Sequence, residues 1–358
     1  MYIKSLELCN YRNYELINID FDEKINILHG DNAQGKTNIL ESIYLCATTK
    51  SHKGSKDNEI IKFGEDNSHI KIIVEKSNLE HIVDIHLKNN KSKGIAINHK
   101  SIKNASELLG LINVVLFSPE DLSIIKEGPS ERRRFIDMEL YQLDKFYIYN
   151  MKNYNKIIIQ RNKLLKESGY NSNILDTLNI WDSQLISYGS KIIERRELFI
   201  EKLNNIIYDI HYNLTGGKEN INLIYNPSVT IDKYEEEMKK SQSKDIRYKQ
   251  TTIGPHRDDI IFNVNNIDIR KYGSQGQQRT AILSLKLAEI ELIKKTINDS
   301  PILLLDDVLS ELDSNRQNYL LNAIGNIQTI ITCTGLDDFV KNQFEVNKTF
   351  EVNNCSIK

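Results

Sequence analysis

Along the first third of the chain, apolar and polar positions alternate in short runs, which predicts strands over residues 2–9, 17–21, 25–29, 70–74 and 82–87. From 130 to about 168 the pattern lengthens into mixed charged and apolar positions without proline or glycine, as a long helix requires. A second helix is predicted from 174 to about 213. Within it Leu178, Trp181, Leu185, Tyr188 and Ile192 follow at steps of three and four, and the row resumes at Phe199, Leu203, Ile206 and Ile210 after a break at Arg195. A seam of about four to five heptads predicts an antiparallel helix pair packed on its own lobe. Beyond Gly216 and Gly217 the strand period returns at 221–225 and 260–264. A helix follows at 275–297, then a wholly apolar strand at 302–305, a helix near 315–324 and a strand at 329–332. That closing order predicts parallel α/β crossovers.

The length of 358 residues exceeds twice the roughly 150 expected of one domain, so two lobes or one domain with a large insertion are expected. Hydrophobic residues at 40% and charged residues at 27% fit a soluble globular protein. No uncharged apolar stretch reaches the roughly 18 residues of a membrane span. The first eight positions alternate charge and bulk, unlike a secretory leader, and a cytoplasmic location is expected. Cys9, Cys46, Cys333 and Cys355 lie far apart with no C-x-x-C pair, which argues against a disulfide framework or a structural zinc. With 47 basic against 49 acidic residues the net charge is -2, so nucleic-acid binding would depend on local patches.

Gly30-Asp31-Asn32-Ala33-Gln34-Gly35-Lys36-Thr37 fits the phosphate-loop pattern G-x-x-x-x-G-K-[ST], directly between a predicted strand and a predicted helix. The glycines let successive N–H groups wrap phosphate oxygens at a helix N-terminus, and Lys36 adds a point charge. The Thr37 hydroxyl is placed for Mg²⁺. The apolar strand 302–305 ends in Asp306 and Asp307, at the strand edge where open α/β sheets bind ligands. Asp306 is a candidate Mg²⁺ ligand, and Asp307 is a candidate to orient or deprotonate an attacking water. Lys36 and Asp306 stand 270 positions apart, more than a minimal nucleotide-binding core needs. Tyr272-Gly273-Ser274-Gln275-Gly276-Gln277-Gln278-Arg279 opens the helix at 275–297, with Ser274 as N-cap and Gly276 permitting close backbone approach.

Together with Asn10-Tyr11-Arg12-Asn13-Tyr14, Gly254-Pro255-His256-Arg257-Asp258-Asp259 and Ser310-Glu311-Leu312-Asp313, this order of motifs resembles the ABC-type ATPases of the SMC group. Within that group it is most similar to the RecF family of bacterial DNA repair and recombination ATPases, over essentially the whole chain. The resemblance implies an α/β fold: an ABC-type P-loop ATPase head, a mixed sheet with helices, carrying an inserted helical lobe with a short antiparallel helix pair. Lobe I would take residues 1–117 and 252–358, and lobe II residues 118–251.

It also implies an ATP-dependent homodimer. ATP would lie between protomers, with Ser274, Gly276 and Gln277 meeting the γ-phosphate held at the partner's Lys36 and Thr37. Asp313 would lie across the same junction, and Arg12 and Asn13 would reach the base or ribose. Further implications are slow Mg²⁺-dependent ATP hydrolysis stimulated by DNA, a clamp on gapped single-strand/duplex junctions, and a role in replication, recombination and the SOS response. RecR and RecO are the implied partners, with RecA loaded through them. Departures from the general ABC ATPase pattern are Asp307 where most ABC ATPases carry glutamate, Ile331-Thr332-Cys333-Thr334 in place of a switch histidine, as the RecF resemblance implies, and no evident Q-loop glutamine, with Glu120 as substitute candidate.

Lys50, His52, Lys53 and Lys56 form one basic cluster and Arg132, Arg133 and Arg134 another, both candidates to contact DNA phosphates. No base-reading motif is present, so backbone recognition is expected. His256, Arg257, Asp258 and Asp259 read as lobe-interface or nucleotide-proximal residues. Two other readings stay open: an ABC-type ATPase subunit of another system, such as a transporter, and a DNA clamp that binds ATP with little turnover.

Overall fold

The computed structural model describes residues 1–167, 174–335 and 346–357. It divides into two units, Met1–Asp121 with Lys286–Lys358, and Leu122–Leu285. In chain order the first unit opens with β1 (Tyr2–Tyr11), β2 (Tyr14–Asp20), β3 (Ile25–His29), α1 (Lys36–Thr48), α2 (Asp57–Ile60), β4 (Asn67–Lys76), β5 (Leu79–Lys88), β6 (Gly94–Ile97), β7 (Lys100–Ser101) and β8 (Val114–Phe117). The second unit holds α3 (Ser123–Lys126), α4 (Pro129–Leu143), α5 (Lys145–Glu167), α6 (Ile174–Leu214), β9 (Ile221–Asn226), α7 (Tyr234–Tyr248), β10 (Asp259–Val264), β11 (Ile267–Asp268), α8 (Ile269–Tyr272) and the start of α9 (Gln275–Ile297). The chain then returns through β12 (Ile302–Asp306), α10 (Ser314–Ile324), β13 (Thr329–Cys333), β14 (Lys348–Asn353) and β15 (Ser356–Ile357).

In the first unit β2-β1-β4-β5-β6-β7 form one antiparallel sheet, and β15-β14-β3-β13-β12-β8 form a second whose inner strands run parallel. Helix α1 packs on β4 of one sheet and on β8, β12 and β13 of the other. The alternation that predicted β1, β4 and β5 is therefore one face on the core and one outward, whereas β8 and β12 are buried at every position and read as unbroken apolar runs. One apolar cluster, including Ile43, Leu45, Ile72, Leu116, Leu304 and Ile330, fills the space between the sheets. None of the four cysteines is in a disulfide, and Cys46 is one of the cluster's side chains.

The second unit corrects three expectations. The helix expected over 130–168 is two helices, because Asp144 leaves helical geometry and its carboxylate caps Phe146 N and Tyr147 N at 2.8 and 3.1 Å. Its expected last residue, Ser168, lies outside the described residues. The seam on α6 is not broken at Arg195: the next residue, Arg196, turns inward and carries the row from Ile192 to Phe199 and Leu203 as a buried charge. Arg161 of α5 bonds Asp182 of α6 and Tyr147 of α5 bonds Arg196, so the two helices run antiparallel. Residues 252–285, expected with lobe I, belong to the second unit, because β10 is zipped to β9 from Asp259↔Asn226 to Val264↔Ile221. Helix α7 had no counterpart in the sequence reading, its polar surface masking the buried Tyr234 and Met238.

Candidate functional site

Strand β3 ends at His29, and the chain turns through Gly30 at φ 144° and Gly35 at φ 107° into α1. Both glycines are required. A Cβ at Gly30 would collide with the Val352 carbonyl oxygen, and one at Gly35 would come within 2.6 Å of the Tyr14 hydroxyl and 2.9 Å of Asn13 Nδ2. Between them Ala33 also takes a left-handed φ of 64°, and Gln34 Oε1 accepts from Asn354 N at 2.6 Å, fastening the loop to the β14–β15 turn. Lys36 is buried, and its Nζ donates to the carbonyls of Gly30 and Asp31 at 2.7 and 2.8 Å. The ammonium is thus suspended over the loop whose N–H groups a phosphate would meet.

The parallel register of β12 on β13 sets Asp306 beside Thr332. Asp306 Oδ1 accepts from Thr37 Oγ1 at 2.8 Å and from Thr332 Oγ1 at 2.9 Å. Burial raises its pKa above the ordinary value, and the two hydroxyls oppose that rise. Asp307 follows in a left-handed conformation, φ 52°, with its N–H bonded to Thr332 Oγ1 at 2.9 Å. Thr332, which sequence reading took only as the replacement of a switch histidine, therefore holds both acids through one hydroxyl. Asp313 caps α10 by accepting from Arg316 N at 3.0 Å, and that bond first, then the Arg316 charge, keeps its carboxyl below the usual range.

Beside the loop, Asn13 Oδ1 accepts from Asn38 Nδ2 at 2.8 Å. Arg12 is held in a left-handed turn, with Nε and NH2 donating to Glu41 at 2.8 and 2.6 Å and further bonds to Ser55 Oγ and the Glu59 carbonyl. Glu41 is fully buried on α1; burial pushes its carboxyl up, but Arg12 and Ser51 together bring it below the ordinary value. A pocket of about 560 Å³ opens beside Arg12, Asn13 and Asn38, walled by Asn58, Phe63 and Glu65. Arg12 fixes that wall, and Asn13 stands against the phosphate loop itself.

In the second unit Ser274 precedes α9 and is exposed, as is Gly276. Ser274 Oγ accepts from Gln277 N at 3.2 Å while Gln277 Oε1 accepts from Ser274 N at 3.0 Å, a reciprocal cap. Gly276 has ordinary helical geometry, and a Cβ there would meet only Ser274 Oγ at 3.8 Å, so nothing within this chain demands a glycine.

The His256–Asp259 segment lies in the second unit, with Asp258 buried, His256 and Asp259 half-buried and Arg257 exposed. Asp258 is buried and accepts from Arg196 NH1 at 3.1 Å, Ser228 N at 2.8 Å and the Tyr225 hydroxyl. Asp259 pairs with buried Arg132 at 2.6 Å, and His256 bonds Tyr154 through Nδ1 at 2.7 Å, with burial lowering its pKa to about 4. Of the basic cluster at Arg132–Arg134, Arg132 is enclosed and Arg133 donates to the Asp258 carbonyl at 2.7 Å, while Arg134 is exposed. Lys50, Lys53 and Lys56 are exposed on the segment between α1 and α2, with His52 edge-on to Tyr44. Glu120 is exposed; the held acid of that segment is Asp121, which accepts from Ser118 N at 2.8 Å, lies 3.6 Å from Lys286 Nζ, and is pushed up by burial to about 6. No group of three or more metal-ligating side chains occurs among the described residues, and no helix there is long and apolar enough to cross a membrane.

A model of the RecF/RecN/SMC N-terminal domain matches residues 2–357. The chain is 62% identical over 354 residues to the DNA replication and repair protein RecF of Lachnospira eligens, covering 98% of each. It is 60% identical over 352 residues to that of Agathobacter rectalis, covering 98% of this chain and 97% of the relative. Among solved structures, a recombination mediator protein RecF with ATP, described as part of the RecFOR pathway, superposes with a TM-score of 0.94 at 36% identity, covering 100% of this chain and 97% of that one. The Smc head domain of Pyrococcus furiosus shares the fold, with a TM-score of 0.57 at 15% identity over 100% of this chain and 95% of that one.

Proposed function

The chain belongs to the RecF/RecN/SMC N-terminal domain family, and from that membership we propose that it is an ATP-gated DNA-binding protein of recombinational repair and replication. In this reading two protomers close on duplex next to a single-stranded gap and open on slow ATP hydrolysis. The observation that carries the ATP chemistry is the Thr37–Asp306 contact, which joins the phosphate loop to the carboxylate strand at 2.8 Å. Two hard oxygens so placed fit Mg²⁺, which takes one or two protein oxygens and keeps phosphate and water for the rest. Bound there, Mg²⁺ would offset the charge on the β- and γ-phosphates. Lys36 and the loop N–H groups would hold those phosphates, and Asn13 with the adjoining pocket would receive ribose and base. Asp307 would orient the attacking water, and its length, a methylene short of glutamate, favours slow turnover.

The dimer reading is supported by Gly276. Its space is empty and its backbone unstrained, so the use of a glycine there is explained by close approach of something outside the chain, the nucleotide on a partner. Ser274 and the N-terminus of α9 would then donate to the γ-phosphate of the partner's ATP, and Asp313 would lie at the same junction. Hydrolysis would remove the bridging charge and release the clamp. Exposed Lys50, Lys53 and Lys56 are the candidate DNA-phosphate contacts. RecR and RecO are the proposed mediators, with RecA loading and the SOS response as the outcome, in the cytoplasm.

The test is steady-state ATP hydrolysis over a range of protein concentrations, with and without gapped duplex and with Mg²⁺ or EDTA, using Ser274→Arg as control. The rate per protomer should rise with concentration and with DNA, and vanish with EDTA and in the variant. A concentration-independent rate would sink the dimer, and a DNA-insensitive one would favour an ATPase of another system. Binding without turnover would favour the passive clamp, the reading that the short Asp307 side chain keeps open.

A further inference from the structure

The Ser274–Gln277 turn that opens α9, the signature proposed to face a partner's ATP, is held by a side chain that no motif contains. Gln277 Nε2 donates to Glu219 Oε1 at 2.9 Å, while the same amide's Oε1 receives the Ser274 N–H at 3.0 Å. A carboxylate only accepts, so Glu219 permits one orientation of the Gln277 amide. Turned over, the amide would face donor to donor at Ser274 and acceptor to acceptor at Glu219, and the cap that fixes the serine would be lost.

Glu219 is itself placed by the end of α6. Its N–H donates to Thr215 Oγ1 at 3.3 Å, and its Oε2 lies 3.4 Å from Nε2 of buried His211. The Nδ1 of that ring meets Ser284 Oγ at 2.9 Å, and Ser284 gives its own proton to the Thr280 carbonyl at 2.8 Å. The serine oxygen must then accept, so the ring proton sits on Nδ1. Ser284 lies on α9, about two and a quarter turns beyond Gly276, so α9 is met at two separate points, by His211 of α6 at Ser284 and by Glu219 at Gln277, with no hydrogen bond between His211 Nε2 and Glu219.

We propose that Glu219 is a positioning residue for trans-acting ATP hydrolysis: it locks Gln277 and thereby aims the Ser274 hydroxyl and the first N–H groups of α9 at the γ-phosphate bound by the partner. This rests on the dimer reading given above. Glu219 does not touch the nucleotide. It acts through the cap, and a misaimed donor in a preorganised charge-stabilising site costs rate more than it costs folding.

The experiment is hydrolysis by mixed dimers in which only one ATP is bound. In the first mixture Lys36→Ala protein is in large excess over Glu219→Ala protein. The only loaded phosphate loop then faces an intact signature, and the rate per site should equal that of Lys36→Ala mixed with wild type. In the second, the Lys36→Ala/Glu219→Ala double variant is in excess over wild type, so the loaded loop faces the altered signature. Its rate should fall about tenfold or more, the worth of a hydrogen bond to a charged group. Glu219→Gln in place of Glu219→Ala keeps an acceptor for Gln277 and should restore most of the rate. Equal rates in the two mixtures, whether both normal or both low, would overturn the proposal, since a merely structural role moves both alike. Ser274→Arg replaces Glu219→Ala in a parallel pair of mixtures. If that pair shows no asymmetry, the trans-acting dimer is wrong; if it does and the Glu219 pair does not, only the role of Glu219 is wrong.

Discussion

In the first unit the ionised groups that matter stand at strand ends and loop edges around an apolar core: Lys36 over its loop, Asp306 and Asp307 at the end of β12, Arg12 beside a pocket. In the second, Arg132, Arg161 and Arg196 are enclosed and met by Asp259, Asp182, Asp245, Asp137 and Asp258. The same residue types line a candidate ligand site in one place and serve packing in the other. An enclosed charge is costly unless it is partnered, and here carboxylates and carbonyls are supplied from several helices and loops at once, leaving one guanidinium nitrogen of Arg161 unmatched. What distinguishes a site from a scaffold is therefore access and satisfaction, not the presence of His, Arg and Asp in a short motif.

Four changes would break or sharpen this contrast. Arg196→Ala leaves Asp258 and Asp137 without their cation, and should destabilise the second unit by about 3–5 kcal/mol in denaturant titration. Retained stability would mean that the network is dispensable. Lys36→Ala should do the reverse, leaving the melting temperature in place while ATP affinity falls by about a hundredfold, since a charge-assisted contact to phosphate is lost. Unchanged binding in a nucleotide titration would remove the phosphate loop from the site.

The third change is pH. His256 is held neutral by burial, with its pKa down at about 4, so above its ordinary value near 6.5 the folded and unfolded chains bind equal protons there. As pH falls from about 6.5 to about 4, the unfolded chain takes up a proton that the folded one refuses, and stability drops by roughly 3 kcal/mol at most. Melting curves of His256→Gln should decline less steeply across that window than those of the parent; parallel curves would refute the buried assignment. The smallest effect is expected from Thr332→Val, which keeps shape but removes the hydroxyl shared by Asp306 and Asp307. ATP binding should persist while single-turnover hydrolysis slows by about tenfold.

The phosphate loop, the carboxylate strand and the α9 cap were legible because each is local: a few consecutive residues carry both the geometry and the chemistry. The break at Asp144 was legible in principle, since an aspartate before Lys145-Phe146 is an N-cap, but the surrounding helical pattern outweighed it. Arg196 was missed for a different reason. A charged residue on an apolar seam reads as an interruption until Asp258, 62 positions later, is known to lie against it. Glu219 carries no signal at all, being one acid after a glycine turn.

By itself, the sequence determined the periods of β1, β4, α6 and α9, the glycines at 30 and 35, and the order of the nucleotide motifs, because backbone conformation and hydrophobic period are short-range properties of neighbouring residues. Only the tertiary structure decided that β10 pairs with β9 and brings 252–285 into the second unit, that Arg132 and Asp258 are buried, that Thr332 lies level with Asp306, and that Glu219 holds Gln277. Those are pairings of polar groups distant in the chain, and whether a charge is solvated, buried or aimed at a ligand depends on which partner the fold brings to it.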